Sequence, residues 1–142
     1  MRAAVLVTHI RPEEKLLIGA LEAEGVALDV ILDRDLNFDL VAGPAQLAPS
    51  GVAWSAYDVV LERCVSTSRG LYALAVLNNW GVSTINSYAT ASICADKLLT
   101  TLALARHDVP QPDARVAFAP ASALAAVEAV GYPAVLKPVT GS

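Results

Sequence analysis

Short apolar runs recur along the chain, and helical spacing fills most of the intervals between them. Residues 2–8 (Arg-Ala-Ala-Val-Leu-Val-Thr) form an almost unbroken apolar run. A strand buried on both faces reads this way, because neither face has to meet water. Residues 27–32 and 57–61 repeat the pattern, and residues 82–85 give a shorter fourth run that ends at Asn86. Between the first two runs, Pro12 occupies a favoured first-turn position for a helix, with Glu13 and Glu14 beside the positive end of its dipole. Leu17, Ala20, Leu21 and Glu24 then fall at helical spacing, and Gly25 stops the helix. This predicts a β-α-β unit with a right-handed crossover. Leu71, Leu74, Ala75 and Asn78 predict a second helix that ends near Gly81. Residues 33–55 follow neither period and contain Gly43-Pro44, Pro49 and Ser50-Gly51, which predicts a long excursion over the sheet edge.

The second part of the chain repeats the alternation on a smaller scale. Residues 88–94 read as helical or turn-like, and Asp96 can cap a helix over 97–106 in which Leu98, Leu102 and Ala105 share a face. Pro110 and Pro112 mark a linker. A strand is predicted at 115–118, then a helix opened by Pro120 with Leu124, Val127 and Val130 inward, then a strand at 133–136 after the stop at Gly131. The fold class is α/β: a doubly wound parallel sheet followed by a β-α-β stretch too small to stand alone. The expected organisation is a domain over 1–92, a connecting helix and linker over 93–109, and the start of a second domain over 110–142.

Composition narrows the classes of function. The chain of 142 residues is 55% hydrophobic and 17% charged, enough to build a core. Mean hydropathy is +0.50, but no apolar run approaches the roughly 18 residues of a membrane span. The first apolar run is broken at once by Thr8, His9 and Arg11, and no small-residue cleavage site follows, so a cytoplasmic protein is expected. A net charge of −4 without a basic cluster argues against nucleic acid as a partner. Cys64 and Cys94 lack metal-ligand spacing, and His9 and His107 stand far apart; buried free thiols and surface or packing histidines are the expectation.

Three stretches can carry chemistry. Lys137 follows four apolar residues and precedes Gly141-Ser142. A strand that delivers one cation to a glycine loop suits polyphosphate, since loop amides donate and glycine lets the backbone approach. An edge strand and an ordinary turn would read the same. Lys97, at the start of a helix, could converge with Lys137 from a neighbouring unit and clamp a nucleotide. Residues 62–70 (Glu-Arg-Cys-Val-Ser-Thr-Ser-Arg-Gly) follow a strand's carboxyl end, where open α/β sheets place their crevice. Arg63 and Arg69 can grip carboxylates bidentately, and Ser66 offers a hydroxyl or a helix cap. Asn86 follows another strand into the same crevice, or is a turn residue. No Ser, Cys or His nucleophile has a triad around it.

Several of these pieces together resemble the ATP-grasp ligases of the RimK-like branch, and within it ligases of the LysX type. The residues that carry the resemblance are 10–14 (Ile-Arg-Pro-Glu-Glu), 61–70 (Leu-Glu-Arg-Cys-Val-Ser-Thr-Ser-Arg-Gly), Asn86, 94–97 (Cys-Ala-Asp-Lys), 110–112 (Pro-Gln-Pro) and 131–142 (Gly-Tyr-Pro-Ala-Val-Leu-Lys-Pro-Val-Thr-Gly-Ser). The resemblance implies a pre-ATP-grasp domain followed by the opening of an ATP-grasp central domain. It maps Lys97 and Lys137 onto nucleotide-binding lysines and Gly141 and Ser142 onto the start of the glycine-rich phosphate loop. It sets Arg63, Ser66, Arg69 and Asn86 toward the acceptor side. It also implies ATP and Mg²⁺, with the metal ligands beyond residue 142, and a chain inactive alone. The implied reaction activates the C-terminal glutamate of a small acidic, LysW-like carrier protein as an acyl phosphate and joins it to α-aminoadipate in lysine biosynthesis. A homo-oligomeric full-length enzyme is implied too. The rivals are a glutamate ligase with another acceptor, a non-catalytic flavodoxin-like binding domain, and an orphaned truncation.

Overall fold

A computed structural model describes residues 1–140. The chain divides into two compact units, Met1–Ala91 and Ser92–Ser142. The first contains β1 (Arg2–Val7), α1 (Pro12–Ala23), β2 (Ala27–Leu32), β3 (Val59–Arg63), α2 (Thr67–Asn79) and β4 (Thr84–Ile85). All four strands are parallel and lie in the order β2-β1-β3-β4. The expected parallel α/β sheet is therefore present. β1, the most continuously apolar run, takes an interior position, and Ala3 to Val7 have no exposed surface. β2, at one edge, is buried only at Ile31.

Register explains what meets at the carboxyl edge. Val7 pairs with Leu32 on one side and with Arg63 on the other. One step further, Thr8, Asp33 and Cys64 therefore leave the sheet at a common level. Chain order reverses between β1 and β3, since β2 lies to one side of β1 and β3 to the other. That is the switch point at which open sheets form a ligand crevice.

The excursion from residue 33 to residue 58 does more than cross an edge. It delivers Ala48, Trp54 and Tyr57 to the core beside Leu6, Val60 and Leu77. Phe38 packs 5.6 Å from both Trp54 and Trp80, edge-on to the latter. At the amino edge of the sheet, Arg2 donates through Nε and Nη2 to Asp29 (3.2 and 2.9 Å). The Tyr57 hydroxyl donates to the same carboxylate at 2.9 Å and lies 2.6 Å from the Ser50 hydroxyl. Aromatic packing and this polar chain tie the excursion to two strands, so a stretch without periodicity is nonetheless ordered.

The second unit contains α4 (Lys97–Arg106) and α5 (Pro120–Val130), with α3 (Tyr88–Cys94) running across the division. Asp96 caps α4 as expected, its carboxylate accepting from the Leu99 amide at 2.9 Å. Gly131 ends α5 at φ +85°, a conformation that side chains disfavour. Residues 115–118 and 133–136, expected as strands, form no strand and have no ladder partners among the described residues. An apolar run becomes a strand only when its backbone groups find a ladder, and such pairing is not local. Leu124, expected inward, is 68% exposed, and no residue of α5 is buried.

Leu77 and Leu124 should separate the two environments. Leu77→Ala is expected to cost about 2–5 kcal/mol in urea unfolding of the first unit, because it removes fully buried methyl groups. Leu124→Ala should stay within about 0.5 kcal/mol of the parent.

Candidate functional site

Two buried carboxylates organise the carboxyl edge of the sheet. Glu14 sits in the first turn of α1, three residues after Arg11. A glutamate there can reach back to the residue that starts the helix, and Glu14 Oε2 accepts from the Arg11 amide at 3.2 Å. The same carboxylate takes Arg11 Nε at 2.8 Å and Nη2 at 2.7 Å. Arg63, from the end of β3, donates Nη2 to Glu14 Oε1 at 3.0 Å. Glu14 has no exposed surface, whereas the side chains of Arg11 and Arg63 remain 38% and 43% exposed. The Arg11 hydrogen bonds hold the Glu14 carboxyl at about 2, against an ordinary 4.5, despite the opposing effect of burial; Arg63 adds to the lowering.

Asp33 is the second carboxylate. It accepts the Thr8 hydroxyl at 2.7 Å and Arg69 Nη1 at 2.9 Å. Thr8 Oγ1 in turn accepts the Val65 amide at 2.9 Å. The residue after β1 thus anchors the loop between β3 and α2, which holds Ser66 and is flanked by Arg63 at the end of β3 and Arg69 at the start of α2. Beside it, Asp33, Arg34, Phe38, Arg69 and Tyr72 line an open cavity of about 450 Å³.

Within the loop, Glu62 Oε1 accepts the Cys64 amide at 2.6 Å. Gly70 is needed opposite this carboxylate: a Cβ on Gly70 would lie 2.5 Å from the same oxygen. Burial, reinforced by the Glu62 charge, pushes the Cys64 thiol up to about 12. At neutral pH it is a thiol and no nucleophile, which agrees with the packing role expected for it. Cys94 differs from expectation, since it is exposed.

Arg63 ends β3, Ser66 lies in the loop that follows, and Arg69 sits in the first turn of α2. Ser66 holds the helix-start position of α2 but makes no side-chain cap there. Asn86 is exposed directly after β4, the strand paired with β3. Lys97 and Lys137 both lie in the second unit, rather than one in each. The Lys97 amide donates to the Val139 carbonyl at 2.9 Å, and Asp96 bridges Thr140. The start of α4 and the Lys137 segment therefore run side by side. Gly141 and Ser142 lie outside the described residues. The sequence reading gave Glu14 only a dipole role and passed over Asp33, Thr8 and Arg11 as site residues. Glutamate in the first turn of a helix and aspartate directly after a strand are the signals that were available.

A four-stranded parallel sheet with helices after β1 and β3 and arginines at its carboxyl edge defines an α/β domain. Residues 3–93 match the LysX preATP-grasp domain, and the chain belongs to that family. It is 40% identical over all 142 residues to the glutamate–LysW ligase ArgX of Sulfolobus acidocaldarius, covering 47% of that protein. It is 38% identical over 85 residues to the α-aminoadipate–LysW ligase LysX of Saccharolobus solfataricus, which is 60% of this chain and 31% of that one. The structure of a RimK domain ATP-grasp protein from Sphaerobacter thermophilus superposes over the whole chain and 50% of its own, with a TM-score of 0.77 and 30% identity. The chain thus spans about half the length of the curated relatives it matches over its full extent.

The depressed Glu14 carboxyl makes stability depend on pH with a definite sign. Its contribution is complete above about 4.5 and is lost as pH falls toward about 2. Glu14→Gln should flatten that part of a denaturation profile measured from pH 5 to pH 2. In a second measurement, iodoacetamide at pH 7.5 should label Cys94 quickly and leave Cys64 unmodified until the chain is unfolded.

Proposed function

We propose that this chain is the N-terminal part of an ATP-grasp carbon–nitrogen ligase acting on a LysW-type carrier protein. One observation carries the reading: similarity to the glutamate–LysW ligase ArgX is continuous over the entire chain. The reaction would pass through an acyl phosphate. The carrier's terminal carboxylate attacks the γ-phosphorus of ATP and expels ADP, and the amine of the amino acid then attacks the acyl carbon, releasing phosphate and a proton. Such chemistry rests on positioning and charge neutralisation, not on a covalent protein intermediate. A crevice with half-exposed arginines and no activated Cys64 is compatible with that.

In this reading residues 1–92 form the pre-ATP-grasp domain, 93–109 a connecting helix and linker, and 110–142 the opening of the ATP-grasp domain. Lys97 and Lys137 bind the nucleotide phosphates, and the backbone contact between residues 97 and 139 favours that pairing. Gly141 and Ser142 begin the phosphate loop. Arg63, Ser66, Arg69 and Asn86 face the acceptor side. Among the described residues no group of three His, Cys, Asp or Glu side chains could hold a metal ion, so no magnesium ligand is assigned to them. The amino acid is glutamate, since the relatives matched over the whole chain are named for it; α-aminoadipate is the second reading, favoured by the match to the LysX domain. Among the described residues, no helix is long and apolar enough to cross a membrane.

In the full-length enzyme, Lys137→Ala should weaken ATP binding by about tenfold or more in equilibrium titration, and unchanged affinity would remove its assigned role. Carrier-dependent phosphate release should be faster with glutamate than with α-aminoadipate. The opposite order would make the amino acid α-aminoadipate.

A further inference from the structure

The Arg11–Glu14–Arg63 cluster holds more positive charge than its buried carboxylate requires. Glu14 accepts four hydrogen bonds, three from Arg11 and one from Arg63, so its oxygens are well satisfied. Arg11 alone, gripping through two nitrogens, would neutralise it. Arg63 therefore leaves the trio with one net positive charge. Both guanidinium groups reach water, while the carboxylate that fixes them does not. Nearby Glu13 acts on Arg11 electrostatically, but it is exposed and solvated. Of the other charges at this edge, Asp33 and Arg69 pair at 2.9 Å, and the Glu62 carboxylate is engaged by the Cys64 amide beside Gly70.

We propose that Arg11 and Arg63 form a receiving site for a single carboxylate, with Glu14 as the positioning residue that holds the two guanidinium groups at the switch-point crevice. A monoanion matches the excess charge, whereas a phosphate dianion overshoots it. Fixing a guanidinium in advance removes part of the side-chain ordering cost that an exposed arginine meets on binding. The inference rests on the first unit's geometry and would survive failure of the ligase reading, although the two share Arg63. A free amino acid and an acidic peptide present the same group, and separate probes distinguish them.

The test is isothermal titration of the 142-residue chain with free glutamate, with tri-glutamate peptide and with sodium phosphate, at low salt and at about 0.5 M NaCl, where the screening length falls to roughly 4 Å. Carboxylate binding in the roughly millimolar range, weakened by salt, is the expected result. Arg11→Gln and Arg63→Gln should each weaken it about tenfold, and Arg63→Lys should restore only part. Glu14→Gln separates positioning from charge: it adds a positive charge, yet binding should weaken if the carboxylate aligns the arginines. Tri-glutamate alone binding assigns the site to an acidic peptide; glutamate binding equally well assigns it to a small amino acid. The proposal is overturned if neither carboxylate binds, if phosphate binds more tightly than both, or if the arginine variants, folded by circular dichroism, bind like the parent. Tighter binding by Glu14→Gln overturns the positioning role.

Discussion

A carboxylate with no access to water keeps its charge only while cations are held against it. Glu14 is in that position. Burying an ion is costly, and removing one partner from a buried pair leaves a charge that nothing compensates. The requirement joins the first turn of α1 to the end of β3, because Arg11 and Arg63 come from those two places. It also sets the direction of both arginines. The carboxyl edge of the sheet is shaped by this constraint more than by the loops that run over it.

The two edges of the sheet use the same residue types to different ends. At the amino edge, Arg2, Asp29, Tyr57 and Ser50 are hydrogen-bonded in succession, which secures the long excursion. At the carboxyl edge, the acids are inside and the bases are half outside. Asp33 repeats the arrangement made by Glu14, with Thr8 and Arg69 as donors. A buried acid that steadies an exposed base is a structural device that also prepares an anion site.

Local pattern made much of the first unit legible. The unbroken apolar run at residues 2–8 indicated a strand buried on both faces, and β1 is one. Asp96 was readable as a cap because capping depends on residues within one turn. The runs at 115–118 and 133–136 were misread, since ladder pairing depends on what lies alongside and not on the run itself. The aromatic packing of Phe38, Trp54 and Trp80 was equally invisible: it joins a stretch without periodicity to the end of a helix. Residues 62–70 were legible as the stretch leaving the carboxyl end of β3, but the buried acids that organise that edge were not. The buried Glu14 is held by Arg11 three positions before it and also by Arg63, 49 positions away, and the second partner cannot be read from local pattern. The resemblance to RimK-like ligases supplied the family, which no single spacing in the chain could have done.

The most direct measurement is the ionisation of Glu14 itself, followed by the chemical shift of its side-chain carboxyl carbon in the folded protein between pH 6 and pH 1.5. An inflection near 2, well below the ordinary carboxylate value, is the predicted result. Titration at or above 4.5 would contradict the account, because it would mean that the two guanidinium groups do not hold the carboxylate as described.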